Sequence, residues 1–267
     1  MPASGQRADD TVASLLRGLE VIGILARADR PLSLAEIARL ADTTRATARR
    51  LLLTLEGVGY VSSDGPTFWL RPRIMELGDT YLEVLALPRI AHPHLSDLAE
   101  RVRDTCSLTV LDRDSVVYVD RVKGPRLMNV NIAVGSRFPA YSMSSGRVLL
   151  ADLSDAELQD YLARLQGEPL VAAPGTAATV TTPEDVARVV RRAREDGYSV
   201  TDQELDPALR SIAVAVHGPD GRAVAAVNVS THVTRTTVQQ LHDEVLPDLL
   251  AAVRAIEEDL AGQAVDG

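Results

Sequence analysis

Apolar residues recur at helical spacing from Ser14 to Arg27 (Leu15, Leu16, Leu19, Ile22, Ile24, Leu25), which predicts a helix with Ser14 as its N-cap. Asp29-Arg30-Pro31 breaks it. Ser33 stands three residues before Glu36, the capping-box spacing, so a second helix is expected over 33–40. Ala41-Asp42-Thr43 makes a turn, and Thr44 caps a third helix that ends near Gly57 or Gly59. In that helix Ala48, Leu51, Leu52 and Leu55 form the core face, which leaves Arg45, Thr47, Arg49, Arg50 and Thr54 mainly on other faces. Tyr60–Ser63 and Thr67–Leu70 flank Asp64-Gly65-Pro66 and read as a β-hairpin. Three helices and a hairpin make a winged helix-turn-helix, the hairpin being the wing.

An amphipathic helix is expected over 72–85 (Ile74, Met75, Leu77, Tyr81, Leu82), linking two domains, and another runs from Pro88 to Asp104. Alternating strands follow at Ser107–Asp112, Val116–Val122 and Leu127–Val134, and then a bend at Gly135–Pro139. The segment Tyr141–Ala151 is a loop entering a helix, and helices at Ser154–Leu165 and Thr182–Asp196 come after it. A strand at Tyr198–Asp202 precedes a hairpin of Ile212–Val216 and Ala223–Ser230 around Gly218-Pro-Asp-Gly221. The last helix spans about residues 236–261. The fold class is α+β, divided as 12–71 (winged helix), 72–85 (linker) and 86–262 (second domain).

Aromatic residues make up only 3% of the chain, so both cores must be built from aliphatic side chains. No window reaches the roughly 18 apolar residues of a membrane span, the N-terminus lacks the apolar run of a signal peptide, and Cys106 has no partner for a disulfide. These features suggest a cytoplasmic protein without a membrane partner. The net charge of -9 runs against DNA binding, yet residues 1–84 carry only -1 of it. Between 45 and 73, five arginines (45, 49, 50, 71, 73) face only Glu56 and Asp64. Phosphates feel the field within about 8–10 Å, so this local excess matters more than the total.

The third helix therefore carries the candidate chemistry of the first domain. Arg45, Thr47, Arg49 and Arg50 are expected to divide between base edges and phosphates of double-stranded operator DNA, with Thr44 at the helix start. Either of Arg49 and Arg50 is free to brace the fold instead. Ser63 at the wing tip is within plausible reach of a phosphate, with an idle surface serine as the alternative. In the second domain Ser144-Ser145-Gly146 opens a helix whose N–H groups favour an anion, plain helix capping being the alternative. Asp202 follows a strand and Ser211 opens the next. Asn228 and Ser230, two apart, share one face of an otherwise apolar strand, a solvent face being the alternative. Together these residues suit a small carboxylic acid. His92 and His94 read as surface residues and Cys106 as structural. No phosphate loop, dinucleotide fingerprint or Gly-x-Ser-x-Gly elbow is present, and no cofactor is expected. The enzymatic alternative is a hydrolase using a serine of 142–145 behind an interaction module, and it lacks a base–nucleophile arrangement. A regulator whose second domain serves only assembly is the other alternative.

From about Val12 to Leu260 the chain resembles the IclR family of bacterial transcriptional regulators. The resemblance rests on Thr44–Leu55, Gly59-Tyr60-Val61 and Ser145-Gly-Arg-Val-Leu-Leu-Ala151. The run Asp202–Val216 is similar to the branch that regulates protocatechuate, 4-hydroxybenzoate and β-ketoadipate catabolism. The resemblance implies a winged helix, a linker helix and a GAF-like antiparallel sheet flanked by helices. It also implies homodimers or dimers of dimers on palindromic operators, and no enzymatic activity. An effector pocket is implied at Ser144, Ser145, Asp202, Ser211, Asn228 and Ser230, with Met128 and Val130 as apolar wall. Two positions depart from the family: Ser211 stands where Cys is common and Asn228 where Ser is common. Operator binding is then expected to be controlled by a small acid, aromatic or dicarboxylic.

Overall fold

The computed structural model describes residues 12–78, 86–125, 132–166, 170, 180 and 182–263. The chain divides into two compact units, with the boundary between Val84 and Leu85.

The first unit opens with α1 (Ala13–Arg27), whose N-cap is Val12 rather than Ser14 and carries no side-chain cap. A two-residue strand, β1 (Leu32–Ser33), leads into α2 (Leu34–Leu40). The capping box is present: the Glu36 N–H donates to Ser33 Oγ (3.3 Å) and the Ser33 N–H donates to Glu36 Oε2 (2.8 Å). Asp42, at φ 42°, turns the chain into α3 (Arg45–Gly57). That helix ends in a Schellman motif. Tyr60 N–H reaches back to the Leu55 carbonyl and Gly59 N–H to that of Glu56, with Gly59 at φ 84°. β2 (Val61–Ser63) and β3 (Thr67–Leu70) form the wing, and β1 adds to it as a third antiparallel strand that the short Leu32–Ser33 pattern does not announce. Val21, Ile24, Leu25, Ile37, Leu52, Val61 and Phe68 close the core. Beyond it, the predicted linker helix begins as a 3-10 turn at Pro72–Met75, where proline supplies the first residue, and continues helically to residue 78. Residues 79–85 of the expected helix lie outside the described residues.

The second unit is one six-stranded antiparallel sheet between two helical layers. Its elements are α4 (Ala86–Val102), β4 (Thr105–Asp112), β5 (Ser115–Val122), β6 (Arg137–Pro139), α5 (Ser144–Asp152), α6 (Asp155–Leu165) and α7 (Pro183–Asp196). β7 (Ser199–Asp202), β8 (Leu209–His217), β9 (Ala223–His232) and α8 (Leu246–Gln263) complete it. The terminal helix is interrupted, with a short turn at Val238–Gln240 and a π-helical turn at Leu241–Val245 before α8. Strand order is β6-β5-β4-β9-β8-β7. The bend expected at 135–139 therefore contains an edge strand, Arg137–Pro139, pairing with β5. Most of the strand expected at Leu127–Val134, with Met128 and Val130, lies outside the described residues.

Register assigns the two faces. Cys106, Val229 and Ile212 stand opposite one another on β4, β9 and β8, as do Leu108, Val227 and Val214. This apolar face is covered by α4 and α8, which contribute Leu95, Leu98, Leu249 and Ile256. The other face meets α5 across Ala213, Ala215 and Ala226, small residues that let the helix come close.

Glu36 makes a testable statement about the first unit. Arg30 (2.6 Å) and then the Ser33 N–H and hydroxyl hold its carboxyl at about 2, against an ordinary value of 4.5. A depressed folded value means the stabilisation is complete above the ordinary value and is lost as pH falls toward 2. Urea midpoints followed by Trp69 fluorescence should drop on acidification through this window, and Glu36→Gln should flatten that drop. An unchanged slope in the variant would refute the assignment.

Candidate functional site

α3 presents one unpaired basic face. Arg45, Arg49 and Arg50 are all exposed, and no guanidinium of the three has a hydrogen-bond or ion-pair partner among the described residues. Neither Arg49 nor Arg50 ties its guanidinium to another described residue. The two threonines are partly engaged: Thr44 Oγ1 caps the helix by accepting from the Thr47 N–H (3.2 Å) and donates to Thr47 Oγ1 (3.0 Å). Thr54 donates to the Arg50 carbonyl. Ser63 Oγ accepts from the Gly65 N–H (2.9 Å), and Asp64 accepts from both the N–H and hydroxyl of Thr67, so the wing tip is a tightly bonded turn. Asp64 is held below the usual carboxylate range, chiefly by the Thr67 N–H. Arg73 lies over the Tyr60 ring (5.5 Å) and donates to the Val58 carbonyl. It thus serves the fold behind α3.

In the second unit, four of the anticipated polar residues converge under the start of α5. Ser144 Oγ and Ser211 Oγ are 2.9 Å apart, and Asn228 Nδ2 donates to Ser211 Oγ (3.3 Å) and Ser230 Oγ (2.9 Å). Ser145 is buried beside Ser144 at the helix start, and its hydroxyl has no partner among the described residues. Asn228 Oδ1 is likewise buried and unpartnered. Helix geometry explains the placement: the first N–H groups of α5 have no intrahelical acceptor, and no side chain caps its start.

Asp202 stands apart. It is in register with Arg210, one residue out of phase with Ser211, and therefore faces the other side of the sheet. Arg210 donates to it twice (2.8 and 3.0 Å) and also reaches the Thr236 carbonyl. Asp202 instead lines a cleft of about 410 Å³ along the β7 edge with Arg147, Tyr198, Glu204 and His242.

Several contributors escaped sequence reading. Thr105, Ser107, Thr109, Ser199 and Thr201 are buried on the same sheet face as Ser211, Asn228 and Ser230. Alternation at 105/107/109 and 199/201 is the signal, but in isolation it looks like the wet side of a strand. Arg147 is buried, donating to the Tyr141 carbonyl (2.9 Å) and doubly to Glu204. Glu204 is thus half of a structural ion pair. His92 pairs with Asp120 and His94 with Asp259, and among the described residues no three side chains are grouped to hold a metal. Cys106 is fully buried, which pushes its thiol up. No helix among the described residues is long and apolar enough to cross a membrane.

A winged helix with an unpaired arginine face, followed by a separate sheet unit, defines a two-domain DNA-binding regulator. Comparison with known proteins agrees. Residues 14–65 match the IclR helix-turn-helix domain and residues 79–258 the bacterial transcriptional regulator IclR C-terminal domain. The chain belongs to the IclR family of bacterial transcriptional regulators, a family of DNA-binding proteins and not of enzymes. It is 38% identical to the Pca regulon regulatory protein of Pseudomonas putida, covering 95% of this chain and 86% of that protein. It is 31% identical to the p-hydroxybenzoate hydroxylase transcriptional activator of Acinetobacter baylyi, covering 90% and 89%. A crystal structure of a candidate transcriptional regulator from Rhodococcus sp. RHA1 superposes with a TM-score of 0.79 at 44% identity, over 94% of this chain and 99% of that one. An IclR homolog from Microbacterium hydrocarbonoxydans, crystallised with 4-hydroxybenzoate, shares the fold at a TM-score of 0.78 and 24% identity, over 94% and 100% of the two chains.

Gly146 is what permits the cluster. A Cβ there would lie 2.0 Å from the Ala140 carbonyl oxygen. Gly146→Ala should therefore cost about 1–3 kcal/mol of stability, the usual penalty of overpacking. Urea denaturation followed by circular dichroism measures it, and an unaltered midpoint would contradict the close approach.

Proposed function

We propose that the chain is a ligand-responsive regulator in which residues 12–71 read operator DNA, 72–85 couple, and 86–262 bind a small carboxylic acid and assemble. Arg45, Arg49 and Arg50 divide between guanine edges and phosphates, with Thr44, Thr47 and Ser63 as hydroxyl contacts to the backbone. Support comes from the exposure of the three arginines and their lack of intramolecular partners. The observation that carries the acid-binding reading is the convergence of Ser144, Ser211, Asn228 and Ser230 at the open N-terminus of α5. Hydroxyl donors and helix N–H groups stabilise a carboxylate without a fixed cation. The relatives named for the Pca regulon and for p-hydroxybenzoate hydroxylase favour aromatic acid catabolism as the regulated process.

A ligand acts on DNA binding only if it binds two conformations unequally. The covalent path between the units runs through residues 72–85, so that segment is where such a difference is transmitted. Palindromic half-sites require two reading heads. We assign one dimer surface to α1, where Val12, Leu15, Leu16 and Leu19 form an exposed apolar stripe at i, i+3, i+4, i+7. Arg17 and Glu20 flank it with opposite charges, which an antiparallel second copy would pair.

Operator binding measured by fluorescence anisotropy on duplexes selected from a random library tests the DNA reading. Arg49→Ala or Arg50→Ala should weaken binding by about 1–3 kcal/mol for a base contact, or lower the salt slope by about one for a phosphate contact. If both variants bind as the parent does, the reading-helix assignment fails. Adding aromatic acids should shift the parent's operator affinity; no shift with any acid would leave the assembly-domain alternative. For α1, Leu15→Glu with Leu19→Glu should convert dimer to monomer in analytical ultracentrifugation of residues 1–267, or at least raise the dissociation constant about a hundredfold. An unmoved association constant would place the interface elsewhere.

A further inference from the structure

An open groove of about 440 Å³ runs along the crease between α2 and α3, lined by Ala35, Glu36, Ala38, Arg39, Thr43 and Arg45. Two cations share it. Arg39 and Arg45 are both exposed, and neither guanidinium has a hydrogen-bond or ion-pair partner among the described residues. Glu36 is the acid of that lining, and it serves neither of them. Its carboxylate is taken up by Arg30 (2.6 Å) and by the N–H and hydroxyl of Ser33 (2.8 and 2.7 Å).

The two arginines differ in what local structure explains. Arg39 lies in the last turn of α2, where a cation complements the helix dipole, so helix stability alone accounts for it. Arg45 is the first residue of α3, where a cation opposes the dipole, and that turn has no acid to offset it. A second free guanidinium in the same groove adds like-charge repulsion. An anion from outside the chain relieves both penalties. Ala35, Ala38 and Thr43 keep the walls between the arginines low, which leaves room for its approach.

We infer that Arg39 and Arg45 clamp a single DNA backbone phosphate in the crease between α2 and α3. The inference rests on the reading of α3 as the DNA-reading helix. It adds Arg39, which lies outside both that helix and the wing, and it removes Arg45 from the residues that read bases. Phosphate contacts set register and carry no sequence information directly, so base reading falls to Arg49 and Arg50. The clamp ties both helices of the motif to one strand and so fixes the angle at which α3 enters the major groove.

Fluorescence anisotropy on the full chain tests this with duplexes selected from a random library and with scrambled duplexes of the same length. Arg39→Ala and Arg45→Ala should each weaken binding about tenfold on both kinds of duplex, leaving the ratio between the two unchanged. Arg39→Lys should keep most of the affinity, because an ammonium serves a phosphate as a point charge. One neutral methylphosphonate linkage moved along the selected half-site then locates the contact. The linkage whose effect is blunted by Arg39→Ala should be the one whose effect is blunted by Arg45→Ala, and different linkages overturn the shared clamp. A lowered melting temperature with parental affinity in Arg39→Ala leaves that residue as a helix-dipole partner only and overturns the inference. A changed ratio between selected and scrambled duplexes in Arg45→Ala makes it a base reader and overturns the inference too. If Arg49→Ala and Arg50→Ala weaken binding while Arg39→Ala does not, the clamp alone fails. If none of the four alanine variants alters binding, the reading of α3 fails with it.

Discussion

The close approach of α5 to the sheet is the constraint on which the second unit depends. Gly146 lies against the Ala140 carbonyl, and Ala213, Ala215 and Ala226 offer the helix a shallow floor. Arg147, next in sequence, is buried and spends its guanidinium on the Tyr141 carbonyl and on Glu204. These contacts hold the helix start over β8 and β9 and tie it to the β7–β8 turn. A buried ion pair contributes little net stability against an apolar substitute, but losing one member is costly. Its effect is positional: Ser144 is delivered to within hydrogen-bonding distance of Ser211.

The first unit solves a different problem, how an acidic protein approaches a polyanion. Its basic residues divide by role. Arg30 and Arg73 are consumed by Glu36, Glu76, Tyr60 and a backbone carbonyl, whereas Arg45, Arg49 and Arg50 remain unspent on α3. The capping box that fixes α2, the Thr44 cap and the Schellman motif at Gly59 all constrain how that helix projects. Rigid presentation of a few charges suits specific reading better than a diffuse basic surface does.

Much of this was legible in the chain because local chemistry and tertiary structure agree. The capping box at Ser33–Glu36 and the Gly59 terminus both appear where spacing placed them. Strands β1 and β6 were not legible, since two or three residues carry no period and their existence depends on partners far along the chain. The polar sheet face was half legible. Asn228 and Ser230 stood out in an apolar strand, but the buried threonines and serines of β4 and β7 are indistinguishable from a wet face until register aligns the strands. Asp202 shows the converse limit. A one-residue offset from Ser211's partner Thr201 sends its carboxylate to the opposite face, where Arg210 meets it.

The cluster beneath α5 consists of serines and one asparagine, side chains that neither gain nor lose a proton anywhere near neutrality. On the proposed acid-binding reading, a floor of that kind has no titration of its own to superimpose on that of the ligand. Simple carboxylic acids are fully ionised well above pH 5, so on the proposed acid-binding reading occupancy near neutrality would follow ligand concentration alone. A sensor built on that proposed floor would report how much acid is present and stay indifferent to the acidity that its breakdown creates.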